Sequence, residues 1–310
     1  MLKVLFSAKS RAWDEYQAPL NAAFAKAGLD VDLSRDHPPA ETDYIVFAPN
    51  GPVTDFAPYT RTKAVLSLWA GVETVVDNPT LTQPLCRLVD TSLTQGMVEW
   101  VTGHTLRHHL GMDAHIHGQD GIWRDQISPP LAPKRPVTVL GIGALGAACG
   151  QALASLGFAV TGWSRSAKNV PGLRCLHGDD GLRTALTDAQ IVITLLPQTP
   201  QTKDILNAEH LALLAKGAFI INPGRGPLID DAALVQALDS GQIAHATLDV
   251  FRVEPLPVDH PFWAHPGVTV TPHIAATTRP ETAAEIIVDN IQRGETGRPF
   301  LNVVDRGLGY

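Results

Sequence analysis

Val137-Thr-Val-Leu-Gly141-Ile-Gly143-Ala-Leu-Gly146 is the stretch whose reading decides the fold. Four residues of buried-strand character, a short pattern of glycines, and an alanine-rich run from Ala147 to Ser155 stopped by Gly157 spell strand, tight turn and helix. In that context G-x-G-x-x-G reads as a dinucleotide site rather than as a glycine-rich turn that binds nothing. Gly141 permits the sharp turn, Gly143 lets the backbone approach a pyrophosphate, and Gly146 lets helix and strand pack closely. The helix start at Ala144 and Leu145 offers unpaired N–H groups to phosphates. A second strand, Phe158-Ala-Val-Thr-Gly-Trp163, arrives at the spacing a βαβ unit needs.

Past that second strand an acidic residue is expected if the ligand is NAD, because it holds the adenine ribose 2′-hydroxyl. The chain instead has Trp163-Ser164-Arg165-Ser166, with Lys168 close behind. A carboxylate would repel a 2′-phosphate, whereas a guanidinium flanked by hydroxyls can bond it as a fork and neutralise it. The expected cofactor is therefore NADP in preference to NAD. The competing reading makes Arg165 a solvated loop charge.

Of the 310 residues, 45% are hydrophobic and 18% charged, which is ordinary globular material and enough for two cores. A net charge of -7 argues against nucleic acid or an acidic membrane surface as partner. Met1-Leu-Lys-Val-Leu-Phe6 lacks the form of a signal peptide, and no apolar stretch approaches the ~18 residues of a membrane span. The cytoplasm is the expected address. Cys86, Cys149 and Cys175 are too few and too scattered for a disulfide framework and read as reduced, buried small residues. Five of the 12 histidines fall between His104 and His117, but no acidic or Cys ligands stand beside them at metal-site spacings, so no metal is expected. That run reads as a polar helix and its exposed end.

Before the glycine motif, Leu2 to Phe6 reads as a strand and Trp13 to Ala27 as a helix ending at Gly28. Val31 to Leu33, Tyr44 to Ala48 and Val65 to Trp69 read as further strands, so the first ~90 residues form a small parallel α/β domain. Trp69-Ala70-Gly71-Val72-Glu73 leaves the carboxyl edge of the fourth strand, the side on which such sheets bind ligands. Taken alone it is an ordinary strand-to-helix turn. A helix from Gln95 to about Leu110 follows, then a Gly- and Pro-rich connector to Pro136. Trp123 in that connector either covers its own domain or packs on a neighbouring subunit.

After the motif the alternation continues. Ile191 to Leu196 and Ala218 to Ile221 read as strands, a helix starts near Ala208, and Asp231 to Ser240 is the next helix. Ala246 to Val250 and Val268 to Thr271 close the sheet, and a final amphipathic helix, Glu281 to Arg293, is read as capped by Gly294. Phe300 to Val303 has no strand partner nearby in sequence and is expected to return to the first domain.

Three polar side chains fall just past strands of the cofactor-binding half: Arg225 in Asn222-Pro-Gly-Arg-Gly-Pro227, Glu254 in Asp249-Val-Phe-Arg-Val-Glu-Pro-Leu256, and His273 in Thr271-Pro-His-Ile-Ala-Ala276. Each alone has a structural explanation. Together they supply what reduction of a 2-oxo acid requires: an imidazolium to protonate the carbonyl oxygen, a carboxylate to favour the charged ring and fix its tautomer, and a guanidinium to hold the substrate carboxylate and polarise the carbonyl.

These blocks, in this order, resemble the D-isomer-specific 2-hydroxyacid dehydrogenase family over nearly the whole chain, and its catalytic Arg, Glu and His match Arg225, Glu254 and His273. The resemblance implies two doubly wound α/β domains, with a Rossmann cofactor domain (97–280) inserted into a smaller flavodoxin-like substrate domain (1–96 and 281–310). It implies that Leu196, Pro197, Thr199, Pro223, Gly224, His273 and Ala275 line the cofactor, and that Asp249 contacts the nicotinamide carboxamide. Trp69, Ala70, Gly71 and Val72, with Arg225, would hold a small 2-oxo acid, and the chain would be a homodimer. Trp69 departs from the Gly of many relatives and would favour small substrates such as glyoxylate or hydroxypyruvate. The expected activity is their NADPH-dependent reduction. The alternatives are an NAD-dependent dehydrogenase of a larger D-2-hydroxy acid and a dinucleotide sensor without turnover.

Overall fold

The computed structural model describes residues 1–309 apart from Arg124, Gln126 and Ile127; these three, within the expected connector, and Tyr310, at the end of the expected substrate domain, lie outside the described residues. The chain forms two compact units, Met1–Leu93 with Thr277–Tyr310, and Thr94–Ala276.

The first unit begins with β1 (Leu2–Ser7), α1 (Ser10–Lys26), β2 (Val31–Ser34), β3 (Tyr44–Phe47), β4 (Ala64–Ser67) and β5 (Leu85–Cys86). These strands make one parallel sheet in the order β2-β1-β3-β4-β5, the flavodoxin-like arrangement. Strands β3 and β4 are buried at every position, as parallel strands covered on both faces must be. Helix α2 (Thr91–Leu110) starts four residues before the Gln95 expected from hydrophobic spacing. The reason is local: Asp90 Oδ1 accepts the Leu93 N–H at 2.7 Å, which caps the first turn.

The second unit continues with α3 (Met112–His117), β6 (Pro136–Leu140), α4 (Ala144–Ser155), β7 (Ala159–Ser164), β8 (Arg174–His177), α5 (Gly178–Leu186), β9 (Ile191–Thr194), α6 (Ala208–Ala212), β10 (Ala218–Asn222), α7 (Asp231–Asp239), β11 (Ile243–Leu248) and β12 (Val268–Val270). Its seven parallel strands run β12-β11-β10-β9-β6-β7-β8. The order reverses at β6, so the glycine motif leaves the sheet at its topological switch point. Strand β8, which hydrophobic alternation did not reveal, is a short edge strand with an Arg and a His at its ends.

The chain then returns to the first unit as α8 (Pro280–Glu295), whose Ala283, Ala284, Ile287, Val288 and Ile291 complete the core built by Val4, Phe6, Leu20 and Phe24. Gly294 does not cap this helix. It lies inside, where a Cβ would stand 2.1 Å from the Tyr44 hydroxyl, and the turn out comes at Gly297 with φ +67°. Val303 forms an antiparallel bridge to Cys86.

The end of α2 is less polar in its surroundings than in its sequence. His108 is 3% and His109 7% exposed, which corrects the reading of an exposed end for these two. The His108 ring stacks on Phe219 with centroids 4.7 Å apart, and its Nε2 lies 2.9 Å from Thr247 Oγ1. Burial pushes His108 down to about 3 and His245, beside it, down to about 4. Trp123 does not cover its own unit but is 89% exposed. Cys86 and Cys149 are buried and Cys175 half-buried. No helix among the described residues is long and apolar enough to cross a membrane.

Candidate active site

The loop leaving β6 has the shape a pyrophosphate needs. Gly141 adopts φ +98°, and a Cβ at Gly146 would stand 1.8 Å from the Gly141 carbonyl oxygen, so turn and helix are in direct backbone contact. Gly143 is different: apart from its own chain neighbours, no atom of the described residues lies within 4 Å of where its Cβ would be, and its φ of -73° suits any residue. It is the N-cap of the 12-residue α4 and provides no capping side chain, so no side chain of the cap takes up the first N–H groups, those of Ala144 and Leu145. That uncapped start, next to a glycine that packing does not require, fits a dinucleotide pyrophosphate.

At the end of β7, Arg165, Ser166 and Lys168 are exposed while Ser164 is buried. The Ser164 hydroxyl donates to the Ser166 carbonyl at 2.8 Å and so shapes the turn that presents Arg165. Lys168 Nζ donates to the Ile142 carbonyl at 3.4 Å, placing this ammonium beside the glycine loop. Lys168, one of the side chains expected to hold a 2′-phosphate, is thus a neighbour of the glycine loop. Past β9, Leu196 and Thr199 are buried, Pro197 is half-buried, and Thr202 Oγ1 closes the turn by accepting the Thr199 N–H at 2.8 Å and donating to the Pro197 carbonyl at 2.7 Å.

Arg225, Glu254 and His273 follow the neighbouring strands β10, β11 and β12, on one edge of the sheet. His273 Nδ1 is 2.8 Å from Glu254 Oε2, and Glu254 Oε1 accepts the Phe251 N–H at 2.8 Å. The carboxylate therefore fixes the ring through Nδ1 and is itself fixed by its own loop. Nε2 of His273 has no hydrogen-bond partner among the described residues, and the side chain is 53% exposed. A proton carried on Nε2 is available to a ligand.

The His273 backbone sits at φ +55°, a left-handed conformation uncommon outside glycine. Asp249, 1% exposed, enforces it. Its Oδ1 accepts from Thr271 Oγ1 at 2.6 Å and from the Ile274 N–H at 2.9 Å, its Oδ2 accepts from the Ala275 N–H at 2.9 Å, and its carbonyl accepts the His273 N–H at 2.8 Å. Most of the acceptor capacity of this carboxylate thus goes to the loop that carries His273.

Asn222 does for Arg225 what Asp249 does for His273, and neither Asn222 nor its partner Thr194 was singled out from sequence. Its Oδ1 accepts from Thr194 Oγ1 at 2.6 Å and from the Gly224 N–H at 3.1 Å, while Nδ2 donates to the Arg225 carbonyl at 3.0 Å. Pro223 and Gly224 are buried, and Arg225 Nη1 donates to the Gly224 carbonyl at 2.7 Å. A buried polar residue ending a buried strand was the available signal. In the first unit, Trp69 is 42% exposed and Val72 is buried, and Ser67 Oγ donates to the Trp69 carbonyl and accepts its N–H, both at 3.0 Å. Among the described residues no group of three His, Cys, Asp or Glu side chains could hold a metal ion.

The family model described as D-isomer specific 2-hydroxyacid dehydrogenase, NAD binding domain, matches residues 102–275. Glyoxylate/hydroxypyruvate reductase A of Serratia proteamaculans is 40% identical over 306 residues, covering 96% of this chain and 96% of that protein. The crystal structure of a D-isomer specific 2-hydroxyacid dehydrogenase from Xanthobacter autotrophicus, in complex with NADPH and MES, superposes with a TM-score of 0.92 at 42% identity, covering 100% of this chain and 99% of that one. The NADPH-dependent glyoxylate/hydroxypyruvate reductase from Sinorhizobium meliloti, in complex with NADP and sulfate, gives a TM-score of 0.89 at 34% identity and covers both chains completely, 100% each.

Proposed function

Since the chain belongs to the D-isomer-specific 2-hydroxyacid dehydrogenase family, we propose that it reduces glyoxylate and hydroxypyruvate with NADPH, giving glycolate and D-glycerate. The observation that carries this reading is the His273–Glu254 pair, with its 2.8 Å contact at Nδ1 and its unengaged Nε2, on the same sheet edge as Arg225. NADPH, when bound, supplies the hydride that the substrate carbonyl carbon accepts.

The chain's own residues do the rest. Arg225 pairs with the substrate carboxylate and draws charge toward the carbonyl oxygen. His273 gives its Nε2 proton to that oxygen as negative charge develops there, and Glu254 stabilises the imidazolium before transfer. Solvent returns the proton afterwards. Gly141 to Gly146 hold the pyrophosphate, and Arg165, Ser166 and Lys168 hold the 2′-phosphate. Ser164 acts through the turn it shapes, and Asp249 acts chiefly by holding the 271–275 loop. Leu196, Pro197, Thr199, Pro223, Gly224 and Ala275 make up the remaining wall of the cofactor site.

The unit of Met1–Leu93 with Thr277–Tyr310 takes the substrate-binding role through Trp69, Ala70, Gly71 and Val72, and the unit of Thr94–Ala276 takes the cofactor-binding role. The protein acts as a cytoplasmic homodimer. Ile116, Ile122, Trp123 and Leu131, all more than half exposed, support an interface between copies. Sedimentation velocity tests the dimer. Decay of NADPH absorbance with glyoxylate, hydroxypyruvate and larger 2-oxo acids, repeated with NADH, tests the activity: binding of NADPH without turnover of any of them would refute it.

A further inference from the structure

Asp249 and Asn222 account for the loops of His273 and Arg225, but Glu254 lies in a loop with less to hold it. Phe251 is buried in the core and Leu256 packs against it, but Val253, beside Glu254, is 61% and Val258 96% exposed, so the stretch that carries Glu254 between those two anchors has no apolar anchor of its own. Its polar tie to the loops after β9 and β10 runs through Arg252. The Arg252 guanidinium donates through Nη2 to Asp204 Oδ1 and to the Ile229 carbonyl, and its Nε lies 3.4 Å from Asp231 Oδ1. Asp204 belongs to the loop after β9, Ile229 belongs to the segment after β10 that also carries Arg225, and Asp231 opens α7 at the end of that segment.

Those partners are already tied to each other. The Asp204 N–H donates to the Pro227 carbonyl at 2.9 Å, Leu206 N–H to the Leu228 carbonyl at 3.0 Å, and Asp230 N–H to the Leu206 carbonyl at 3.1 Å. Gly226, next to Arg225, touches the other side: a Cβ there would stand 1.9 Å from the carbonyl carbon of Phe251. Three loops leaving β9, β10 and β11 therefore meet at one guanidinium, two residues before Glu254.

We infer that Arg252 is a positioning residue, which locks the Glu254 loop onto the loops after β9 and β10 and thereby holds the Glu254 carboxylate on His273 Nδ1. The inference rests on the reading of Glu254 and His273 as the proton-transfer pair. Magnitudes separate this role from a stabilising one. An ion pair with side chains as exposed as those of Arg252 and Asp204, 30% and 36%, contributes little to stability. Misplacing a catalytic group by about 1 Å can cost on the order of 10²-fold in rate.

The tautomer of the neutral His273 ring is the direct readout, because a carboxylate at Nδ1 selects the Nδ1–H form. It is measured by ¹⁵N NMR on the cofactor-free protein at alkaline pH, with the His273 signal assigned from its loss in His273→Asn. The wild type shows mainly Nδ1–H. Arg252→Ala lowers that fraction by roughly half or more toward the Nε2–H form that free histidine prefers, and Arg252→Lys restores part of it. In a Glu254→Ala background, Arg252→Ala has no further effect, since the two substitutions act on one contact. In turnover with NADPH and glyoxylate, Arg252→Ala lowers kcat several-fold at nearly unchanged KM.

A wild-type tautomer ratio in Arg252→Ala, or an equal drop with and without Glu254, overturns the inference. If Arg252→Ala does not fold, Asp204→Asn loosens the same tie from the other side and is expected to lower the Nδ1–H fraction as well; an unchanged fraction there also overturns it. A wild type that turns over no 2-oxo acid would instead sink the reductase reading, while the tautomer experiment would still decide the role of Arg252.

Discussion

His273 Nδ1 lies 2.8 Å from Glu254 Oε2, while the second oxygen of the same carboxylate is engaged by the Phe251 N–H. One carboxylate thus ties an imidazole to a fixed point of its own loop and leaves Nε2 outside that tie, where the proposed reaction needs its proton donor. Replacing His273 by Ala removes the proton donor and is expected to cost roughly 10²-fold or more in kcat. Glu254→Gln keeps an acceptor but removes the charge that favours the imidazolium, so the expected loss is smaller. Steady-state kinetics with NADPH and glyoxylate checks both, and near-wild-type kcat in His273→Ala would refute the role.

The buried Asp249 carboxylate accepts from Thr271, Ile274 and Ala275. Asp249→Ala leaves these three donors without that partner and relaxes the left-handed backbone at His273. Unsatisfied buried donors cost on the order of 1–3 kcal/mol each, less whatever water recovers. The expected result is a destabilised protein in urea melts together with a kcat loss approaching that of His273→Ala. Full activity in the folded fraction would show that the loop holds its shape unaided.

Gly143 and Gly146 look equivalent in the motif and are not equivalent in the structure. A Cβ at Gly146 collides with the Gly141 carbonyl at 1.8 Å, whereas, its chain neighbours aside, none of the described residues lies within 4 Å of a Cβ at Gly143. Gly146→Ala should therefore displace the helix and lower thermal stability. Gly143→Ala should melt like the wild type yet bind NADPH at least about 10-fold more weakly, because its methyl group would occupy the space proposed for the pyrophosphate. Fluorescence titration and melting curves of the pair give the answer, and unaltered NADPH affinity in Gly143→Ala would argue against a pyrophosphate there.

Much of this arrangement was legible in the chain because the signals were local. The glycines after β6 and the buried runs of β9 and β10 are contiguous patterns, and Arg225, Glu254 and His273 each follow such a run. The burial of His108 was not legible, because it arises from Phe219 and Thr247, which are more than a hundred positions away. Gly294 was misread for a related reason: near a helix end it looks like a cap, and only the Tyr44 hydroxyl reveals a packing position. The network at Arg252 joins three loops, so no single stretch records it.

Arg165 stands exposed on the turn shaped by Ser164, with Lys168 nearby against the glycine loop. Arg165→Asp replaces the proposed 2′-phosphate partner by a group that repels the phosphate and can bond a 2′-hydroxyl. The ratio of kcat/KM for NADPH over NADH should fall by about 10-fold or more, each decade corresponding to about 1.4 kcal/mol. An unchanged ratio would place the 2′-phosphate elsewhere.

His108 makes stability depend on pH. Its ordinary value is 6.5, and burial pushes it down to about 3 in the fold, with His245 shifted the same way. The group has a depressed folded value, so above pH 6.5 both states hold a neutral ring and nothing is lost. As pH falls below that value the unfolded chain takes up the proton first, and stability declines until the folded ring can also be protonated. At about pH 5 the His108 share of this loss is about 2 kcal/mol. Urea melts at fixed protein concentration between about pH 7.5 and pH 5 should show the decline in the wild type. His108→Gln, although less stable at neutral pH through loss of the stack on Phe219, should show a flatter slope over the same interval. Equal slopes would mean that the ring escapes its burial on protonation.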